Sequence, residues 1–432
     1  MSTRLVNVDR STPMLLPPDL REWVQNDDLV HFVVDALSLV DVSSAHLNRR
    51  GTGSEQYPPG MMLGLLVYSY AQGIFSSRQI ERATYQNLSV RYLTADTHPD
   101  HDTLAKFRRE NGPLIRSVFV QLLQLAQTSG LLRLGALALD GTKIGAATTK
   151  RQNLTYAELQ TQIGQLDVQV ARLLEQAESA DQSGEGGDQL PAELSQAQTR
   201  RTRLLAAKAQ LEQQALARHQ QREKERDEAP PGGKRSRVDP QPKADDRINL
   251  TDGESTLPRT RTGFIQGYNA QLAVSVTGGL IVAADVVRDA SDSRQLQPMV
   301  QQVIAQVGVP AQVLVDTGYE NVRQIQAVEA TQVTQVLCPP ARSGNANPAT
   351  PFQRHWRQAS KGWREQMRQR LLSPAGQALY RLRKTTVEPA IGIIKGALRF
   401  RSFSLRGLAK VRTEWFLVSL AFNCRRLALK WN

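Results

Sequence analysis

The chain has 432 residues, 40% of them hydrophobic and 22% charged, which is enough apolar material for a folded core and too much for a disordered tail. A formal net charge of +13 favours a polyanionic partner. Two cysteines, Cys338 and Cys424, exclude a disulfide framework and a cysteine zinc site, and six scattered histidines show no ligand spacing. The first twenty residues lack the apolar run of a signal peptide, and the run 61–70 is too short to span a bilayer, so a cytoplasmic protein without membrane segments is expected.

Residues 1–19 are polar and proline-marked, an extended lead-in. From 20 to 40, apolar residues recur at helical spacing: Trp23, Val24, Leu29, Phe32, Val33 and Leu37. Pro58-Pro59 precede an apolar helix over 61–72. Ser76-Ser77 can cap the next helix, to Ala83, and further helices are expected over 103–109 and 113–127. Residues 20–128 therefore read as an all-helical domain. The run 136–140 is a short strand. After Thr149 the pattern changes: Leu159, Ile163, Leu166, Val170, Leu173 and Ala177 form a heptad seam. SGEGGD at 183–188 breaks it, and Leu194, Ala197, Leu204 and Leu211 continue in a second helix, with Arg201 and Lys208 on the same seam. This spacing predicts a helical hairpin over 155–221, inserted after the first strand of a sheet; self-association, DNA contact and a solvated spacer all stay open as its role. Residues 222–247 mix charge, Pro and Gly and read as a disordered linker.

The sheet resumes with a β-hairpin, 271–276 and 280–287, turning at Gly278-Gly279. A helix over 293–307, a strand over 312–316, a helix over 321–329 and a strand over 333–338 follow; Pro339-Pro340 end the last. Asp285, Asp289 and Asp292 read as turn and helix-start residues, with help to a metal site from one of them the lesser alternative. Residues 341–360 carry no clear signal. Helices are expected over 363–372, 375–382, again beyond Pro389, and over 405–429.

Residues 380–399, YRLRKTTVEPAIGIIKGALR, hold the most informative acid. Between Arg354 and Lys430 there are eighteen Lys or Arg and three acids, Glu365, Glu388 and Glu414. A lone Glu388 in such a field is either a salt-bridge or helix-start residue beside Pro389, or a metal ligand working next to phosphate. Two apolar runs also end in acids: 136–140 at Asp140 and 312–316 at Asp316. The end of a buried strand is the rim of the sheet, where ligands bind in open α/β folds, although Asp before Gly also makes an ordinary turn.

The stretches ALALDGTKIGA, VLVDTGYEN and RKTTVEPAIGIIK, in that order, resemble a DDE transposase of a bacterial insertion sequence. Glu388 and Lys395 match the family's Glu-x6-Lys signature. LLPPDLREWV, YPPGMMLGLLVYSYAQGIFSSRQIE and GFIQGYNAQLAVS extend the resemblance over nearly the whole chain. Tyr380 and Arg383 keep their spacing to each other, but Glu388 comes one residue later than in the commonest version.

The resemblance implies an RNase H-like mixed sheet flanked by helices over 129–154 and 248–432, joined to a DNA-binding helical domain over 20–128. It assigns catalysis and metal binding to Asp140, Asp316 and Glu388, with two Mg²⁺ ions about 3.5–4 Å apart that Mn²⁺ can replace. The implied reaction is cleavage of the element's ends and their joining to target DNA. The implied partners are double-stranded DNA, as terminal inverted repeats and target, and further copies of the chain in a homodimer or larger assembly. Lys395, Arg383, Arg399 and Arg401 would contact DNA near the catalytic acids, and Lys106, Arg108 and Arg109 would contact phosphates from the helical domain. A same-fold nuclease that does not join strands and an inactive transposase-derived DNA-binding protein are the alternatives.

Overall fold

The computed structural model describes residues 19–47, 56–183, 190–227, 239–260, 263–330, 335–340 and 351–431. The lead-in before residue 19, the SGEGGD residues 184–188, residues 228–238 of the expected linker and residues 341–350 lie outside the described residues. Two compact units form: residues 1–122 with 420–432, and residues 123–419.

In the first unit, Asp19 caps a 3-10 turn at Leu20–Trp23 and Asp28 caps α1 (Leu29–Ser38), each accepting a backbone N–H at 2.8 Å. The expected single helix over 20–40 is thus split, because a second capping aspartate outweighs the continuous apolar spacing. α2 (Pro59–Ala71) begins with proline in its first turn, where no N–H is missed, and is buried from Met62 to Ala71. Gly73, with φ at +77°, takes the left-handed conformation that ends α2 and turns the chain. α3 (Ser77–Gln86), α4 (Leu88–Leu93), α5 (His101–Glu110) and α6 (Gly112–Thr128) follow. Val30, Val33, Leu63, Leu66, Ile80, Leu104 and Ile115 are buried without exposure.

The second unit opens with β1 (Ala136–Gly145). A small antiparallel ladder of β2 (Asn153–Thr155) and β3 (Arg247–Asn249) brackets two long helices, α7 (Tyr156–Ser183) and α8 (Leu190–Asp227). A two-residue pair, β4 (Arg259–Thr260) and β5 (Gly263–Phe264), precedes β6 (Gly267–Ser275) and β7 (Ile281–Val287). Then come α9 (Leu296–Val307), β8 (Gln312–Leu314), α10 (Val322–Ala330), β9 (Gln335–Leu337), α11 (Pro351–Leu372), α12 (Pro374–Gly392), a π-helical turn at Ile393–Ala397 and α13 (Leu408–Trp431).

The strand order is β7-β6-β1-β8-β9. β6 lies between β7 and β1 and is antiparallel to both, while β8 runs parallel to β1 and β9 parallel to β8. This mixed five-stranded sheet with flanking helices is the RNase H-like arrangement. α9 packs on β6 and β7, and α12 on β1 and β6. α7 and α8 share a core in which Leu159, Ile163, Leu166 and Leu173 meet Ala197, Leu204, Ala207 and Leu211. Arg201 leaves that seam and pairs with Asp167.

Several boundaries move. β1 continues five residues past Asp140. Residues 222–227 are the last turns of α8, and Asp246 is fixed by Arg218 at 2.5 Å, so both ends of the expected linker are ordered. α11 starts at Pro351, inside the stretch without clear signal. α12 runs through Pro389 without a break. A proline there loses one ladder hydrogen bond, and the helix widens into the π-helical turn just beyond it.

Candidate active site

The sheet brings Asp140 and Asp316 to one rim. Asp140 pairs with Leu272 across β1 and β6, two residues beyond the last β1 residue that pairs with β8. Asp316 follows the end of β8 by two residues and caps the 3-10 turn Thr317–Tyr319, accepting from Gly318 N at 2.9 Å. The turn-forming reading of Asp316 is therefore realised along with its place at the rim. Tyr380 Oη donates to the Val315 carbonyl at 3.2 Å and braces that junction from α12.

α12 also carries Arg383 and Glu388. The Arg383 side chain is only 8% exposed. One terminal nitrogen lies 2.9 Å from Asp140 Oδ2 and 3.9 Å from Asp316 Oδ2, and the other lies 3.3 Å from Glu388 Oε1. Two carboxylates sharing one nitrogen have oxygens no more than about 7 Å apart. Arg383, expected as a DNA contact, is the hub of the three acids in this structure, and its Nε is buried with no hydrogen-bond partner.

Burial pushes the Asp140 carboxyl up to about 6; Arg383 pulls against this, while Asp316 and Asp292 add like-charge repulsion. Cys338 and Tyr380, both near Asp316, are pushed up to about 12 by burial, so neither supplies an anionic nucleophile at neutral pH.

Lys395 does not project freely. Its ammonium donates to Thr142 Oγ1 at 2.9 Å and to the Lys143 carbonyl at 3.0 Å, tying the π-helical turn to β1 beside Asp140. Arg399 and Arg401 are exposed; Arg399 adopts φ of +61°, and Arg401 donates to the Lys395 carbonyl at 3.2 Å.

By sequence Asp292 is one of three acids at turns and a helix start. In the fold its Oδ1 accepts from Asn269 at 2.6 Å and Gln271 at 2.7 Å, with Lys143 Nζ at 3.7 Å. Gln271 is oriented in turn by Tyr319 Oη. A Cβ on Gly141 would collide with both Asp292 and Gln271, so glycine lets this acid close on the strand next to Asp140. The signal available was the crowding of Asp285, Asp289 and Asp292 just after β7. Nothing in their spacing singled out the third.

Of the three bases expected in the helical domain, Lys106 and Arg109 are exposed. Arg108 is buried and donates to Tyr70 Oη at 2.7 Å and the Phe75 carbonyl at 3.1 Å, so it is a structural strut rather than a phosphate contact.

A donor set made only of carboxylate oxygens suits a hard divalent cation. Among the described residues no three His, Cys, Asp or Glu already close on a point of their own. The acids close on a guanidinium instead, so positive charge already has its place among them.

Fold and acids together define an RNase H-like domain with carboxylates gathered at the sheet rim. Residues 240–424 match the family model described as Transposase DDE domain, and residues 18–110 match the one described as Transposase domain (DUF772). The two matches together span more than half of the chain, and the chain belongs to the DDE transposase family. Asp316 and Glu388 fall inside the first match, and Asp140 precedes it. No curated protein and no solved structure matches the chain. No helix among the described residues is long and apolar enough to cross a membrane.

Proposed function

We propose that this chain cleaves the ends of an insertion sequence and joins them to target DNA by phosphoryl transfer at Asp140, Asp316 and Glu388. The observation that carries the reading is the single guanidinium of Arg383 bound to three acids that stand up to about 250 residues apart in the chain. Three acids drawn to one buried base leave a surplus of negative charge that suits two Mg²⁺ ions, or Mn²⁺. Such ions, when bound, stabilise charge on the attacking and leaving oxygens of an in-line displacement.

The protein supplies the rest. β1 fixes Asp140 in a hydrogen-bonded strand, the turn at Thr317–Tyr319 fixes Asp316, and α12 presents Glu388 from the third segment. With the acids holding cations, the Arg383 fork would be free to meet a DNA phosphate in bidentate fashion. Lys395 holds the π-helical turn against β1, which keeps Glu388 and Asp140 in register. In cleavage a water oxygen bonds to phosphorus and the 3′ oxygen of the DNA leaves; in joining, that 3′ hydroxyl attacks a target phosphorus and the target strand's own 3′ oxygen leaves with the proton. No side-chain nucleophile is required. Duplex DNA is the partner, bound by a homodimer or larger assembly, in the cytoplasm with the nucleoid.

A strand-joining assay tests this against both alternatives. The wild-type chain should join a pre-cut 3′ end to target DNA with Mg²⁺. Asp316→Asn, which keeps the turn-capping oxygen, should lose cleavage and joining together by at least about a thousandfold while still binding DNA. Cleavage without joining would identify a nuclease, and DNA binding without either would identify an inactive derivative.

A further inference from the structure

We propose that α3 is the helix that reads DNA sequence, offering Arg78, Gln79, Arg82, Tyr85 and Gln86 to the major groove. The proposal rests on the reading of the chain as a DNA transposase and names the surface that selects the DNA.

α3 buries Ile80, Ala83 and Thr84. Residues 78, 79, 82, 85 and 86 are exposed, and at 3.6 residues per turn these positions form one continuous stripe. The stripe contains two arginines, two glutamines and a tyrosine, and no acid. Glu81 sits off the stripe with its carboxylate turned to His101, accepting from the ring nitrogen at 2.8 Å and the backbone N–H at 3.3 Å. α5, where the basic cluster of the sequence first pointed, exposes Asp102 and Glu110 as well as Lys106 and Arg109, so its outer face is electrically balanced.

The chemistry of the α3 stripe matches base edges. Arginine is bidentate to guanine and glutamine to adenine in the major groove. A helix of ten residues is about 15 Å long and enters a groove about 12 Å wide. An acidic protein surface would attract the arginines equally, and binding to duplex DNA separates the two.

The stripe is also rigidly mounted. α2, directly before it, is buried from Met62 to Ala71. Arg108 clamps the connection by holding Tyr70 at the end of α2 and the Phe75 carbonyl just before α3. The Tyr85 ring lies on the His98 ring, with centroids 3.8 Å apart and planes within 15°, which fixes the far end of the stripe.

The test uses the full chain and a pool of short duplexes with randomised cores, from which bound sequences are recovered over successive rounds. The wild type should recover a defined motif. Arg78→Ala with Arg82→Ala should bind that motif at least about tenfold more weakly and lose preference at the base pairs the arginines read. Gln79→Ala with Gln86→Ala should shift the recovered motif, and Lys106→Ala with Arg109→Ala should leave it unchanged. All six side chains are exposed, so unfolding midpoints should stay put and report any variant that misfolds. If the α3 variants recover the wild-type motif with affinity within about twofold, or if the wild type binds duplex with no motif, the assignment of α3 is overturned while the transposase reading stands. If the wild type binds no duplex at all, both fall.

Discussion

Arg383 gathers the three carboxylates from inside the protein, and its position makes two outcomes measurable. Replacing it by glutamine removes the positive charge that competes with a bound cation, so Arg383→Gln should bind Mn²⁺ more tightly by calorimetry. The same change should lower the stability of the cation-free protein by about 3 kcal/mol, chiefly through the buried Asp140 pair. Asp316 and Glu388, 42% and 50% exposed, add little because solvent screens them. Asp140 itself gives a pH signature. Burial raises its folded carboxyl to about 6 from an ordinary 3.8, so between those values the folded state holds a proton that the unfolded chain has released. Stability therefore falls as pH rises through that window, by up to about 3 kcal/mol at 1.4 kcal/mol per pH unit. Urea unfolding with a chelator, from pH 4 to 7, should show this slope in the wild type and lose it in Asp140→Asn. A slope that persists in the variant would place the titration elsewhere. The acids were legible because each stands out locally, two after apolar runs and one in a basic field. Arg108 lies four residues after Leu104 and one after Phe107, on the buried face of α5, so periodicity outweighs its charge.

Two elements misled the sequence reading for opposite reasons. Pro389 suggested a helix start, yet α12 carries Glu388 in its interior and relaxes into the π-helical turn afterwards, so tertiary packing on β1 outweighs the local cost of proline. α11 gave no signal over its first half because its sequence there has no clean apolar stripe. The heptad pattern of α7 and α8 was clear, since a helix pair packing on itself depends on its own spacing. Thr155 pairs with Arg247 in the β2–β3 ladder, so the chain enters and leaves the helices through adjacent backbone. Replacing residues 156–246 by a short Gly/Asn turn should leave the rest of the second unit folded, with one cooperative unfolding transition by calorimetry. Loss of any cooperative transition would show that the helices are part of its core. Within the pair, Leu204→Ala, at a site 2% exposed, should cost about 2–5 kcal/mol in the intact chain.

Across the whole molecule the charge is unevenly held: a net +13 for the chain accompanies a basic C-terminal region whose bases divide between internal work and the surface. Arg383 and Lys395 bind the protein's own groups, while Arg399 and Arg401 are exposed. Changing Arg399 and Arg401 to alanine should weaken binding on every duplex alike and reduce the salt slope by about two, at roughly 0.9 per phosphate contact. An unchanged slope would remove both from the DNA track. The convergence of three distant acids on one cation site can be read most directly by replacing Mg²⁺ with Fe²⁺ and generating hydroxyl radicals, which cut the backbone only beside the bound ion. Cuts should appear together next to Asp140, Asp316 and Glu388 and vanish together in Asp316→Asn. Cuts confined to the Asp140 and Asp316 segments, with none near Glu388, would contradict the three-acid site.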